Sequence, residues 1–145
     1  MKKLILFFIV IVLSSSCEVE SPCGIASTGP PLFTIEIIDS ATNENVFTSG
    51  TYTEQQLKVT TANSTYFDYF FISENNYNVI NIFPGVTDGT YTTYIKLNDK
   101  VTIPIESKVV TRSSKCYSNS FIEKVEIIGF EYTLDKETGI YKIKI

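Results

Sequence analysis

The side chains that most often carry catalysis are scarce in this chain. Its 145 residues include no histidine, and the three cysteines are Cys17, Cys23 and Cys116. Without an imidazole, the chain has neither a Ser-His-Asp nor a Cys-His nucleophile, and it lacks the commonest ligand of zinc and copper sites. The segment 113–115 brings two serines beside a lysine, but its polar surroundings are typical of a solvated turn. The sequence therefore predicts no catalytic residue, no metal site and no cofactor.

Carboxylates are the remaining candidates for chemistry. Asp88 and Asp99 lie in segments whose composition suits a calcium loop, yet Asp-Gly and Asn-Asp are also ordinary turn sequences, and neither segment matches an EF-hand. Any two acids that face one cleft would have the groups a glycosidase needs. A domain of this size leaves little room for a deep cleft, so turns are the favoured interpretation.

Cys23 and Cys116 form an even pair in a chain that carries an export signal, which favours a disulfide between them. A closed loop of roughly 90 residues would stabilise the fold by about 4.7 kcal/mol in the chain-entropy model. A redox or metal-binding pair is the alternative. It is disfavoured because neither cysteine belongs to a C-x-x-C motif and histidine is absent.

Aromatic residues are concentrated in one segment. Five aromatic side chains occupy both parities of a predicted strand over 66–72. We expect a central strand that is buried on both faces. The alternative is that one face packs in the core while the other is a stacking platform for sugar or peptide, or lies under a loop.

The N-terminus predicts export and lipidation. Two lysines precede the ten apolar residues of Leu4–Leu13, and Ser14–Ser16 leads directly into Cys17. Ten apolar residues are too few for a bilayer span, which takes about 20, but they suit the core of a secretory signal. We therefore predict a lipoprotein signal peptide over 1–16, with Cys17 as the acylated first residue of the mature chain. An ordinary signal peptide remains the alternative, because Ser14 stands where a lipoprotein signal usually has leucine.

Residues 17–31 are predicted to be a tether. Glu18 and Glu20 resemble the acidic signal that sends Bacteroidota lipoproteins to the outer face of the outer membrane, although a merely solvated tether would look similar. Gly29–Pro31 favours an extended spacer. The expected location is the outer membrane of the cell envelope, facing either the surface or the periplasm. A net charge of −4 disfavours nucleic acid as a partner. It also disfavours peripheral binding to anionic lipid, so the membrane attachment is expected to come from the acyl chains.

Residues 32–145 are predicted to form one all-β domain. Apolar residues alternate with polar ones at a period of two, as in Phe33, Ile35 and Ile37, and no sustained helical period appears beyond one possible turn at Glu54–Leu57. Frequent turn residues separate the strands. These features predict a single antiparallel β-sandwich of about seven to nine strands, either immunoglobulin-like or transthyretin-like. Strand patterns occupy 33–37, 46–48, 57–61, 66–72, 77–83, 91–97, 101–105, 125–134 and 141–145.

Two details of the C-terminal third are more specific. Asp135–Gly139 predicts a hairpin turn with glycine at the tight position. Val125 and Ile127 have one parity, whereas Phe130, Tyr132 and Leu134 have the other. A strand changes faces only through an extra residue, so a β-bulge is predicted near 128–129.

Three segments carry a resemblance to known proteins. Pro30–Ile35, Asn43–Tyr52 and Glu74–Ile80 resemble small uncharacterised lipoproteins of flavobacteria, within the Bacteroidota. The resemblance implies the class and the compartment, and it brings no catalytic or ligand residue with it.

The expected function is that of a membrane-anchored, non-catalytic binding or accessory module whose partner is an envelope protein or glycan. Two alternatives stay open at this point. One is a carboxylate-based hydrolase of envelope polymers, which needs two acids facing one concave site. The other is a small inhibitor of an exported enzyme.

Overall fold

A computed structural model describes residues 29–64, 66–74 and 77–145. Over these residues the chain forms two packed β-sheets with a single short 3₁₀ helix, which confirms the predicted all-β sandwich. Cys17, Cys23, the predicted signal peptide and most of the predicted tether lie outside the described residues. The strands are β1 Phe33–Ile38, β2 Leu57–Thr61, β3 Asp68–Glu74, β4 Tyr77–Phe83, β5 Gly89–Leu97, β6 Val101–Ser113, β7 Ser118–Ile127, β8 Tyr132–Leu134 and β9 Ile140–Lys144, and the 3₁₀ helix is Glu54–Gln56.

The first sheet has the strand order β3-β4-β1-β9-β8, and the second has the order β2-β5-β6-β7. Neighbouring strands are antiparallel except β1 and β9, which run parallel from Thr34 opposite Ile140 to Ile38 opposite Lys144. The sandwich is therefore antiparallel, as predicted, except at this one pair among the described strands. Parallel neighbours need a long crossover connection, and here all the intervening strands supply it.

Alternating residues of the central strands build the core. Phe33, Ile35 and Ile37 of β1 are buried, as the period of two predicted. They face Ile95 and Ile105 of the second sheet across the same cluster. The predicted parity was therefore correct for the strands that contribute most to the core.

Two hydroxyl groups lie in this core without a hydrogen-bond partner among the described residues: Thr93 Oγ1 and Ser107 Oγ. Both side chains are essentially fully buried on the inner face of the second sheet. A buried hydroxyl that has lost its water costs free energy unless a partner replaces it.

Thr93→Val is therefore expected to raise the free energy of unfolding by about 1–2 kcal/mol, because valine keeps the shape and removes the orphaned oxygen. Urea denaturation at equilibrium measures the change. The matched control is Thr92→Val on the solvent side of the same strand, which should stay within about 0.5 kcal/mol of wild type. A loss of stability in Thr93→Val would show that the hydroxyl has a partner.

The predicted hairpin between β8 and β9 is confirmed. Gly139 adopts a φ of 73°, which a side chain would strain. The carboxylate of Asp135 accepts hydrogen bonds from the backbone N–H groups of Glu137 and Thr138, at 3.0 and 3.4 Å. These bonds favour the charged form and lower the pKa of Asp135.

The predicted strand at 46–48 was wrong. Val46 is buried in the core, but the segment is a turn, with one isolated bridge between Ile38 and Asn45. The Asn45 side chain explains this, since its oxygen accepts the Phe47 N–H at 2.9 Å and its amide donates to the Asn78 carbonyl at 2.7 Å. An asparagine that offers such local bonds competes with a strand ladder.

The prediction of a bulge near 128–129 was wrong, and the bulge of this region is in β7. β7 ends at Ile127, and the chain crosses from the second sheet to the first through Gly129, whose φ is 79°. The change of parity at 128–129 is therefore a change of sheet. The register of β6 and β7 shifts instead at Glu123, because Lys108 is opposite Lys124 while Val109 is opposite Ile122.

The aromatic segment also differs from the prediction. Tyr66 and Phe67 precede the strand, and the rest of the segment lies in β3, which is an edge strand of the first sheet and pairs only with β4 among the described strands. Phe70 is 53% exposed. The expectation of a central strand buried on both faces was wrong, because composition records hydrophobicity but not which strand occupies the end of a sheet.

Candidate functional site

A groove opens where the two sheets end on the same side of the sandwich. It lies between β3 of the first sheet and the start of β2 in the second, and its volume is about 580 Å³. Aromatic side chains converge in it together with one acid. The lining residues are Glu54, Gln55, Leu57, Tyr69, Phe70 and Phe71.

The floor of this lateral groove is the flank of the hydrophobic core. Tyr69 and Phe71 are opposite Ile82 and Ile80 in the ladder, so both point inwards between the sheets. The ring of Phe71 packs edge-to-face on Phe47, with 4.9 Å between centroids. Because both rings are only half-buried, core-like surface is accessible from this side.

The solvent face of β3 and β4 carries apolar side chains as well, beside the polar Asn81 opposite Phe70. Phe70 projects outwards and packs edge-to-face on Phe83, with 5.6 Å between centroids. Ile72 on the same face is opposite Val79, which is buried, and Tyr77 at the start of β4 is 48% exposed. We call the four residues Phe70, Ile72, Tyr77 and Phe83 the β3–β4 apolar face.

Acidic groups flank the groove and this face. Asp68 begins β3 and Glu74 ends it, and Glu54 stands on the 3₁₀ helix at the groove wall. The Asp68 carboxylate accepts a hydrogen bond from the backbone N–H of Tyr69 at 2.8 Å. The site therefore combines an apolar surface with negative charge at both ends of β3.

Two carboxylates also lie close together on the second sheet, but not in a groove between the sheets. Glu106 and Glu126 are directly opposite each other on its solvent face, beside a depression of about 200 Å³. Lys124 donates to Glu126 at 2.6 Å, and this hydrogen bond raises the pKa of Lys124. Lys108 also lines the depression. The two acids thus lie in a neutralised, solvated cluster on the outside of a sheet, where exposed ion pairs contribute little.

The other polar candidates from the sequence lie in turns or at the ends of strands. Asp88 lies in a hydroxyl-lined cavity of about 670 Å³ and accepts a hydrogen bond from the backbone N–H of Thr111. Asp99 belongs to the turn between β5 and β6. The hydroxyl of Ser113 pairs with that of Ser118 at 2.8 Å, across the β6–β7 ladder. In the described part of the chain, no three His, Cys, Asp or Glu residues come together as a metal site.

Cys116 is disulfide-bonded in the structure, at the loop between β6 and β7. The sequence offers Cys17 and Cys23 as partners within the chain, and both lie outside the described residues. The pairing with Cys23 and the lipidation of Cys17 stay predictions.

The signal for the groove was present in the sequence but ambiguous. The sequence shows aromatic residues on both parities of 66–72. It does not indicate that Leu57 and the 3₁₀ helix line the same groove. No local pattern links 54–57 with 69–71, because only the packing of the two sheets brings them together.

Comparisons with known proteins do not assign the chain to a family. Among the described residues, no helix has the length and hydropathy that a membrane span requires. The chain matches no protein-family model, no curated protein and no solved structure.

Proposed function

We propose that the protein is a lipid-anchored lipoprotein of the cell envelope that acts as a non-catalytic binding module. Its contact surface is the lateral groove together with the β3–β4 apolar face. The observation that carries this proposal is the 53% exposure of Phe70 on an edge strand that continues directly into the core-like floor of the groove.

Exposed aromatic surface supports a binding role on energetic grounds. Each buried aromatic ring contributes strongly to association, and contiguous apolar patches on a monomer commonly mark interaction sites. Phe70 and Tyr77 are both about half exposed, yet neither is needed to fill the core. A partner that covers these two rings would bury apolar surface that the folded domain leaves exposed to water.

The hydrolase alternative receives less support. The groove has one acid, Glu54, and the opposed pair Glu106 and Glu126 is flanked by lysines on a solvent face. A glycosidase needs two carboxylates on opposite sides of one bound bond, which neither arrangement supplies within the described residues.

Lipidation of Cys17 has a direct test. Labelled palmitate should enter the wild-type protein in cells and should be absent from Cys17→Ala. Equal labelling of both proteins would contradict the anchor without bearing on the groove. Protease treatment of intact cells then distinguishes a surface-exposed domain from one that faces the periplasm.

The binding surface is tested by placing a photo-crosslinking phenylalanine analogue at Phe70 in cells. The matched control is the same analogue at Tyr94, an aromatic residue on the solvent face of the second sheet, away from the groove. We expect a crosslinked envelope component at position 70 and none at position 94. Equal crosslinking at both positions, or none at either, would contradict the proposed surface.

A further inference from the structure

We propose that the partner is an extended polypeptide segment that adds as a strand to the free edge of β3, with basic residues opposite Asp68 and Glu74. This inference rests on the proposed binding function and specifies the chemistry of its partner. It comes from the edge itself, the adjoining groove and the distribution of charge.

The edge of β3 is regular, and its charged residues, Asp68 and Glu74, lie only at its two ends. It pairs with β4 over all seven residues without a shift of register, and Tyr69–Ile72 forms a continuous apolar run. The other outer strands of the two sheets carry the usual protections against strand pairing: β8 has three residues, β7 contains the bulge at Glu123, and the five-residue β2 carries Lys58. Among the described strands, β3 is therefore the edge best suited to accept another chain.

The main chain of β3 has the donors and acceptors for such a ladder. In an antiparallel edge strand, alternate residues direct their N–H and C=O groups away from the neighbouring strand. Within the described residues, no strand lies on the outer side of β3. An incoming strand would complete the ladder on that side.

The lateral groove receives the side chains of the added strand. Successive side chains of a strand point to opposite faces of its sheet. Those of an added strand that point inwards would enter the groove over Leu57, Tyr69 and Phe71, whereas those that point outwards would extend the β3–β4 apolar face beside Phe70. The groove thus supplies pockets for every second residue of the partner.

The charges select a basic partner rather than a second copy of this chain. If two β3 strands paired antiparallel with full overlap, Phe71 would be opposite its own copy, and Asp68 would be opposite Glu74 at both ends. Like charges directly opposite each other destabilise a ladder, whereas opposite charges stabilise it. A segment with two basic residues six positions apart places a cation against each acid, with the apolar run between them.

The test uses the full mature chain in detergent micelles and fluorescent peptides of seven residues. The first peptide has lysine at both ends and alternating valine and threonine between them. The second replaces both lysines by glutamate. The third keeps the lysines but carries N-methyl groups on the backbone nitrogens that face β3, which removes ladder hydrogen bonds without changing charge.

We expect the lysine peptide to bind about tenfold more tightly than either of the other two. Amide resonances of β3 should shift and become protected from hydrogen exchange when it binds. The double variant Asp68→Lys/Glu74→Lys should reverse the preference towards the glutamate peptide, while its thermal unfolding reports whether the fold is intact. The control is Lys96→Glu in β5 of the second sheet, which should leave the affinities of all three peptides unchanged.

Equal binding of the lysine and N-methylated peptides, or no binding of any peptide, would overturn strand addition. If crosslinking at Phe70 still captured an envelope component in that case, and above all a glycan, the binding function would stand with a different ligand. If no peptide binds and crosslinking at Phe70 captures nothing, the proposed binding function is contradicted as well.

Discussion

Cys116→Ser is expected to lower the free energy of unfolding by about 2–5 kcal/mol, the usual cost of removing a native disulfide from a small exported domain. Cys116 is disulfide-bonded in the loop between β6 and β7, far along the chain from either possible partner. The long closed loop restricts the unfolded chain much more than the folded one. The effect is therefore among the largest expected for this protein.

A double-mutant cycle identifies the partner. If Cys23 is bonded to Cys116, then Cys23→Ser should cost as much as Cys116→Ser, and the double variant should cost no more than either alone. Cys17→Ser is the matched control and should leave stability unchanged while abolishing lipidation. Denaturant unfolding of the oxidised proteins measures all four. Additive losses, or a loss in Cys17→Ser in place of Cys23→Ser, would contradict the predicted pairing.

If Cys17 is lipidated as proposed, the predicted pairing also affects how the domain is held at the membrane. A bond between Cys23 and Cys116 would leave only the short stretch from Cys17 to Cys23 as free tether, which spans at most roughly 20 Å when extended. The tip of the β6–β7 hairpin would then lie near the bilayer. In the Cys23→Ser variant, residues 17–31 would form the whole tether, and protease access to the hairpin in intact cells should increase.

Ile35→Ala is expected to cost about 2–5 kcal/mol, because it removes a fully buried side chain and leaves a cavity between the sheets. Ile35 lies in β1, where it is opposite Ile80 on one side and Tyr141 on the other. A strand held by neighbours on both sides leaves little freedom to close the gap. Urea denaturation with the disulfide intact measures the loss.

Ile38→Ala is the control for that substitution. Ile38 belongs to the same strand, but its side chain has the opposite parity and is only half-buried. Its replacement should cost about 1 kcal/mol, in keeping with its smaller buried surface. Equal losses from the two variants would contradict the assignment of the inner face of β1.

The period of two identified the strands because it reflects the pleat itself. Phe33, Ile35 and Ile37 were placed correctly, as were Ile103 and Ile105, since one face of each strand packs in the core. The same rule failed at Val46, which is buried without being in a strand. Burial there comes from a turn that packs against the core, and the hydrogen bonds of Asn45 replace those of a ladder.

Parity alone could not distinguish a bulge from a change of sheet. Both events reverse the buried face, and glycine suits both, as the φ of 79° at Gly129 shows. The real bulge, at Glu123, left a weaker trace in the three-residue spacing between Ile122 and Val125. Only the pairing of β7 with β6 separates the two cases.

The amino-acid sequence alone determined the all-β class, the buried parity of most strands and the final hairpin, because each depends on neighbours within a few residues. The tertiary structure decided that the aromatic strand lies at an edge and that β1 and β9 are parallel, and it placed Leu57 and Glu54 beside Tyr69. These features depend on which strands become neighbours in space. Which strands become neighbours depends on how the two complete sheets pack, and a short stretch of sequence does not contain that information.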